Sequence, residues 1–130
     1  KIKKIITKRR KILNLYYKYL EDLKLIQLNI NNLGKKFING AWNVAMVWDE
    51  SYNIDYKYVM KKLDEKGLPT RPFFFPLSSM KTFQKNNLKK QNKIAYSISK
   101  RGLCLPSGLI ITENEIKYYC SILKQILKRK

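Results

Sequence analysis

The sequence predicts an α+β domain, because three short apolar strand patterns alternate with amphipathic helix patterns along its 130 residues. The strand patterns cover residues 41–48, 70–75 and 103–105. The main helix patterns that follow the first and last strands cover residues 55–66 and 112–128. We therefore expect a small three-stranded antiparallel sheet with both helices on one of its faces, preceded by a long N-terminal helix.

The long helix is predicted for residues 1–24. Its apolar residues recur every three or four positions, and most of its lysines lie off that stripe. The stripe consists of Ile2, Ile5, Ile6, Ile12, Leu13, Tyr16, Leu20 and Leu23. The basic run from Thr7 to Lys11 is typical either of a solvated helix face or of a nucleic-acid contact, and we favour the solvated face.

A change in composition after this helix predicts the domain organisation. Residues 25–40 are dense in Asn and Gly, which favour turns. The chain is therefore divided into a connecting helix (1–24), a loop or hinge (25–40) and a small C-terminal α+β domain (41–130).

The apolar run AWNVAMVWD, residues 41–49, predicts a buried strand. Trp42 and Trp48 are an even number of positions apart, so they share one face of a strand. Two tryptophans are typical either of a stacking surface for a base or sugar or of core and interface packing, and we favour packing.

Helix boundaries in the second half are predicted from capping residues. Asp55 is an N-cap candidate, and Gly67 stands where a helix needs a left-handed terminator. A further short helix is expected over residues 92–100. Thr112 and Glu115 have the spacing of a capping box at the start of the last helix.

The stretch GLPTRPFFFPLSS, residues 67–79, is the most unusual part of the sequence. Pro72 and Pro76 fix their own φ angles and favour extended geometry in the residues before them, so an edge strand is expected. Side chains alternate in extended chain, which places Phe74 opposite the others and makes it the candidate for packing in the core. The side chains that would share the other face are Arg71, Phe73 and Phe75.

The formal charge of +19 comes from 28 Lys and Arg residues against 9 Asp and Glu. Such a balance is typical of proteins that bind nucleic acid or anionic membrane surfaces. However, Lys, Ile, Asn and Tyr are abundant together, as expected from a coding sequence rich in A and T. We favour this compositional origin. The sequence has no run of 18 apolar residues and no signal peptide pattern, so we expect a cytoplasmic protein without membrane contact.

The residue types of catalytic and metal sites are scarce. The chain has no histidine, which excludes histidine-based triads and histidine metal ligands. Cys104 and Cys120 lie in apolar patterns and are expected to pack as small hydrophobic residues. The carboxylates lie near helix ends and turns, and glycine-rich nucleotide motifs are absent. We therefore predict no catalytic, cofactor-binding or metal-binding residue in this chain.

Three stretches resemble one enzyme family. GLPTRPFFFPLSSMKTF is similar to the small-domain signature of the DegT/DnrJ/StrS family of pyridoxal-phosphate-dependent nucleotide-sugar aminotransferases, particularly its perosamine-synthetase-like members. WNVAMVWDESYNIDYKYVMKKLDEKG resembles the strand, loop and helix that lead into it. NKIAYSISKRGLCLPSGLIITENEIKYYCSILKQIL resembles the closing pattern of that domain. The resemblance covers roughly residues 1–128.

This resemblance implies the small domain of a fold-type I aminotransferase. In the family, pyridoxal phosphate is held as a Schiff base by a lysine of the large domain, and nothing here resembles the motif that carries it. The first residue is Lys rather than Met, so we expect a C-terminal portion that is inactive alone. The implied partners are the missing large domain, a second subunit in a homodimer, a keto-sugar nucleotide and an amino-acid donor. The implied product is an amino sugar for cell-surface polysaccharide.

The resemblance also implies a substrate-side role for the signature. Arg71 would supply charge to an anionic group or carboxylate, and Ser78 a hydrogen bond. Apolar walls against the hexose would come from Phe73, Phe74 and Phe75. Some family members have His where Ser78 stands, which puts its role in question. For Arg71 the alternative is a salt bridge that ties the loop to its domain, and for the phenylalanines it is core packing.

Two other functions stay open at this point. The charge alone supports a basic nucleic-acid-binding module. The resemblance to only part of an enzyme is also compatible with an inactive, truncated gene product.

Overall fold

The computed structural model describes residues 1–31, 38–83 and 91–128, which form four α-helices and four β-strands. The helices are α1 (Ile2–Leu20), α2 (Tyr56–Asp64), α3 (Lys93–Lys100) and α4 (Glu113–Lys128). The strands are β1 (Ile26–Leu28), β2 (Val44–Trp48), β3 (Arg71–Pro72) and β4 (Gly102–Leu105). The α+β class predicted from the sequence is thus confirmed.

The sheet has four strands in the order β1-β2-β4-β3, and every neighbouring pair is antiparallel. The prediction of three strands was wrong, because β1 lies within residues 25–40, which were expected to be a loop. Ile26 pairs with Trp48 and Leu28 with Met46. Pairing with a buried strand has therefore overridden the turn-forming composition of the surrounding sequence. The division into helix, hinge and small domain stays a prediction.

The core lies on one face of the sheet. Alternate residues of β2 (Val44, Met46 and Trp48) are buried, as are Leu103 and Leu105 of β4. Helices α1, α2 and α4 cover this face. They contribute Ile12, Leu13, Tyr16, Leu20, Val59, Leu63, Ile116, Tyr119, Cys120, Leu123, Ile126 and Leu127 to the same cluster. The buried residues of β2, which are two positions apart, therefore pack against those of α4, which recur at helical spacing, in one apolar layer.

Helix α1 joins this layer only through its C-terminal half. Tyr16 packs edge-on against Tyr119 with ring centroids 6.4 Å apart, and its hydroxyl donates to the carbonyl O of Pro106 at 2.7 Å. Burial raises the pKa of Tyr119 to about 12. Near the N-terminus, Ile2 and Ile5 continue the same apolar stripe but are exposed. The stripe therefore extends beyond the core.

The predicted caps are present. The Asp55 carboxylate accepts a hydrogen bond from the Lys57 backbone N–H at 2.8 Å, and Gly67 has a φ of 67° just after α2. The Glu115 carboxylate accepts from the Thr112 backbone N–H at 2.7 Å, while the Thr112 hydroxyl accepts from the Glu115 N–H at 3.3 Å. The Thr112 hydroxyl also donates to the Glu115 carboxylate at 2.7 Å, and this bond, with the one from the Thr112 N–H, lowers the pKa of Glu115. Local sequence therefore fixes where α2 and α4 begin.

Candidate functional site

The predicted strand over residues 70–75 is much shorter in the structure. Only Arg71 and Pro72 pair with β4, opposite Cys104 and Leu103, and the Phe73 N–H donates to the Gly102 carbonyl at 3.1 Å. β4 begins at Gly102, so the chain beyond Phe73 has no strand to pair with. The aromatic segment, which we define as Phe73 to Phe75, therefore leaves the sheet and is not restricted to strand geometry.

Arg71 lies on the face of the sheet opposite the core. Its cross-strand neighbour Cys104 is half-buried, and the buried Leu103 and Leu105 on either side point the other way. Arg71 lines a cavity of about 440 Å³ together with Asn43, Thr70, Cys104 and Ser107. Hydroxyl, amide and guanidinium groups thus surround a space that suits a polar or anionic ligand.

The structure contradicts the expectation that Phe74 packs in the core. Phe74 is 61% exposed, and its ring lies against Trp42, with centroids 6.3 Å apart. Phe75 is 47% exposed and contacts Tyr56 edge-on at 6.1 Å, whereas Phe73 is half-buried. The alternation that assigned Phe74 to the core requires a strand, and the strand ends before it.

These phenylalanines form one wall of an open groove. The groove has a volume of about 780 Å³, and its other wall is the start of α3 with the two residues before it. The residues that line it are Phe73, Phe74, Phe75, Pro76, Gln91, Asn92, Lys93, Ile94, Ala95 and Ile98. Of these residues, Pro76 is buried. An apolar groove with an amide and an ammonium at its rim suits a ligand with an apolar face and polar edges.

Ser78 connects the aromatic segment to α3. Its hydroxyl accepts a hydrogen bond from the Asn92 side chain at 3.1 Å and lies 3.3 Å from the Tyr96 hydroxyl. Ser79 adds a bond to the Pro76 carbonyl at 2.6 Å. Ser78 therefore holds one wall of the groove against the other and does not itself line it.

The five predicted site residues consequently lie in three places. Arg71 is in the sheet cavity, Phe73 to Phe75 are in the groove, and Ser78 is behind it. Sequence reasoning missed the α3 residues of the groove, and it placed Trp42 on the same strand face as Trp48. β2 begins at Val44, so Trp42 lies outside the strand and is 68% exposed, whereas Trp48 is buried. The asparagine preceding Val44 was the available signal that the strand is shorter than the apolar run.

A third cleft, about 590 Å³ in volume, is lined mainly by polar side chains, several of which pair with one another. Glu50 accepts a hydrogen bond from Ser97 at 2.5 Å and forms an ion pair with Arg101 at 3.6 Å. The Asp49 carboxylate caps a short turn, and hydrogen bonds from Ser51 lower its pKa. The lowered pKa of Asp49 does not suit a general acid, and Glu50 is already engaged by Ser97 and Arg101.

The described residues hold few other chemical groups. Within residues 1–31, 38–83 and 91–128, no three acidic, cysteine or histidine side chains come together as a metal site. No helix there combines the length and apolarity needed to cross a membrane. Cys104 and Cys120 are both free thiols, and burial raises the pKa of Cys120 to about 12.

Comparison with known proteins identifies the family. The model of the DegT/DnrJ/EryC1/StrS aminotransferase family matches residues 1–124. The chain belongs to this family. GDP-perosamine synthase from Vibrio cholerae is 23% identical over 124 residues, which are 95% of this chain and 33% of that protein.

Two solved aminotransferase-related structures, DesI and PseC, have the same fold as this chain. DesI, crystallised in the presence of its TDP-sugar product, has a TM-score of 0.81 at 22% identity, over 97% of this chain and 32% of that chain. PseC from Helicobacter pylori, an aminotransferase involved in the biosynthesis of pseudoaminic acid, has a TM-score of 0.80 at 11% identity, over 96% and 33%. The family member described here therefore spans about a third of the length of these relatives.

Proposed function

We propose that this chain is the C-terminal portion of a pyridoxal-phosphate-dependent aminotransferase that converts a keto-sugar nucleotide to an amino sugar in the cytoplasm. The proposal is supported chiefly by the family match over residues 1–124. The names of the relatives support sugar nucleotides as the substrate class. The amino sugar would serve cell-surface polysaccharide, and the amino group would come from an amino acid.

The lysines of the described residues do not fit the role of cofactor ligand. Each of them is exposed or half-exposed, including Lys62 and Lys124, which form ion pairs. A Schiff-base lysine needs an enclosed site that lowers its pKa, together with an acidic partner for the cofactor ring. Pyridoxal phosphate supplies an electron sink when bound. We assign its binding to the two-thirds of the enzyme that the relatives possess beyond the length of this chain.

The role of this chain is then to bind and orient the substrate. The walls of the groove present phenyl faces, which would pack on the apolar face of a hexose and exclude water. Arg71, which forms no ion pair within the described residues, would hold an anionic group of the substrate. Ser78 would act indirectly, since it fixes the aromatic segment against α3. A second subunit would close the site from the side.

The test uses this chain both alone and joined to the pyridoxal-phosphate domain of a family relative. Incubation of the chain alone with pyridoxal phosphate, then borohydride reduction and peptide mapping, is expected to label several lysines sparsely. The joined protein is expected to transfer an amino group to a keto-sugar nucleotide, and Arg71→Ala is expected to impair that turnover. Stoichiometric labelling of one lysine in the chain alone, or a joined, folded protein without aminotransferase activity, would contradict the proposal.

A further inference from the structure

We infer that the N-terminal half of α1 and Trp42 form a surface that binds an anionic lipid bilayer peripherally. This surface, the α1 patch, consists of Ile2, Ile5, Ile6 and Trp42. The inference does not depend on the proposed function. The expectation of no membrane contact rested on the lack of an apolar run and of a signal peptide, and a helix that lies along a bilayer surface needs neither.

The first observation is an exposed apolar stripe. Helical spacing places Ile2, Ile5 and Ile6 on the same side of α1 as the buried Ile12 and Leu13. However, the first three are 66%, 39% and 37% exposed. The first two turns of α1 therefore keep an apolar side in contact with solvent.

The second observation is that Trp42 is held beside this stripe. Arg9 lies seven positions after Ile2, on the same side of the helix, and its guanidinium donates to the Trp42 carbonyl O. Arg10 donates to the Asn39 carbonyl O at 2.8 Å. Two arginines thus fix the backbone around Trp42 against α1, while its side chain stays 68% exposed. An exposed indole next to exposed aliphatic side chains is typical of proteins at a membrane–water interface.

The third observation is the charge around the patch. Helix α1 carries seven Lys and Arg residues, and neither α1 nor residues 38–48 contain Asp or Glu. By helical spacing, Lys3 and Lys8 lie on either side of the stripe, and both are exposed. Neither of them forms an ion pair within the described residues. An apolar centre with ammonium groups at its edges complements the acyl chains and head groups of an anionic bilayer.

The same observations favour a bilayer over two other occupants. A second copy of the chain would bring two strongly basic helices together, and such like-charge contacts are repulsive. A nucleic acid would pair with the lysines but would leave the three isoleucines without an apolar partner. A bilayer surface satisfies the stripe and the charges together.

Vesicle binding by the 130-residue chain tests the inference. One set of vesicles contains equal parts of phosphatidylglycerol and phosphatidylcholine, and the other contains phosphatidylcholine alone. The chain is expected to sediment with the anionic vesicles but not with the neutral ones, and to be released at high salt. The fluorescence of Trp42 is expected to shift to the blue and to resist quenching by acrylamide, whereas the buried Trp48 gives a constant background.

Apolar variants test the stripe. Ile2→Ser/Ile5→Ser is expected to weaken binding to the anionic vesicles about tenfold. Trp42→Ser leaves α1 unchanged and serves as a second variant, with an expected effect in the same direction. Ile110→Ser is the matched control without effect, because it changes an isoleucine that is 93% exposed outside the patch.

Charge variants test the edges of the patch. Each basic residue near an anionic surface strengthens binding roughly fivefold, so Lys3→Gln/Lys8→Gln is expected to weaken it roughly twentyfold. Lys57→Gln/Lys61→Gln removes the same charge from exposed positions on α2 and is the matched control, with a much smaller expected effect.

Several results would overturn the inference. Equal binding to neutral and anionic vesicles would do so, as would no binding to either. An unchanged affinity in both Ile2→Ser/Ile5→Ser and Trp42→Ser would attribute the binding to charge alone. Duplex DNA that binds more tightly than the anionic vesicles would assign the basic residues to nucleic acid instead.

Two further results would assign the patch to a protein in place of a bilayer. A chain that is dimeric, and becomes monomeric in Ile2→Ser/Ile5→Ser, would assign it to a second copy. A joined aminotransferase that is active but does not bind vesicles would assign it to the pyridoxal-phosphate domain. The last result would overturn the membrane inference and leave the proposed function intact.

Discussion

A methyl group at Gly102 is expected to destabilise the chain, because β4, α3 and the aromatic segment meet there. A Cβ added at this position would lie 3.0 Å from the Ile98 carbonyl O and 3.0 Å from the Phe73 Cβ. The first neighbour is a backbone atom of α3, and the second cannot move without its own backbone. The three elements must therefore separate by a few tenths of an ångström.

The magnitude follows from two opposing effects. Overpacking of a well-packed site costs about 1–3 kcal/mol. Replacing glycine by alanine also restricts the unfolded chain, which stabilises by about 0.4–1 kcal/mol. The difference of these effects is about 0–2.6 kcal/mol. We expect Gly102→Ala to lower the free energy of unfolding by about 1–2 kcal/mol, because neither close neighbour of the new Cβ is the end of a flexible side chain. In a chain of this size that corresponds to a fall in Tm of roughly 3–10 °C.

The measurement is thermal and urea unfolding followed by circular dichroism. Gly108→Ala is the matched control, because a Cβ at Gly108 has no neighbour within 4 Å among the described atoms. Its Tm is expected to be unchanged or slightly raised. If Gly102→Ala melts at or above the temperature of Gly108→Ala with equal m-values, the aromatic segment does not pack against β4 and α3 as described.

Further predictions concern the core, the charges and the thiols. Leu63→Ala is expected to lower the free energy of unfolding in urea by about 2–5 kcal/mol, because Leu63 is buried. Phe74→Ala is expected to lower it by well under 1 kcal/mol, because Phe74 is exposed, and similar losses in the two variants would refute this difference in burial. Hydrogen bonds from two α4 lysines lower the pKa of Asp22 to about 2. This stabilisation is complete above the unfolded pKa of about 3.9 and is lost as pH falls through about 2, so the Tm should fall over this range in the wild type. The fall should be smaller in Asp22→Asn, which keeps only the contribution of the other carboxylates with lowered pKa values, among them Asp49 and Glu115. A thiol reagent should modify the half-buried Cys104 quickly and the buried Cys120 only on unfolding; equal rates would contradict this. DNA and RNA should bind weakly, without sequence preference and only at low salt, and selective sub-micromolar binding at physiological salt would favour the nucleic-acid reading.

Features that depend on short-range patterns could be predicted from the sequence. The carboxylate cap at Asp55 and the capping box at Thr112 act within three residues, so their spacing is sufficient. The burial of alternate residues in β2 likewise follows from its period-2 pattern.

Features that depend on distant partners were predicted less well. β1 forms because β2 pairs with it. β3 ends early because its antiparallel partner β4 begins at Gly102 and has no earlier residue for pairing. Neither the presence of β1 nor the end of β3 is visible in the local sequence. The position of Phe74 follows from the end of β3, because side chains alternate between two faces only where the segment is a paired strand. The contact between Trp42 and Phe74 joins two such irregular segments.

The strand order also determines when the aromatic segment can acquire its structure during synthesis. β4 is the last strand in the sequence but lies between β2 and β3, so β3 has no pairing partner until residues 102–105 have left the ribosome. At about 5–20 residues per second, the roughly thirty residues from Phe73 to Gly102 take about 2–6 seconds to translate. Throughout that interval Phe74 and Phe75 adjoin a strand, β3, that has no partner, and exposed apolar segments of this kind are prone to aggregation. A nascent chain stalled before Gly102 should therefore be cut by protease at this stretch, and one that includes β4 should resist.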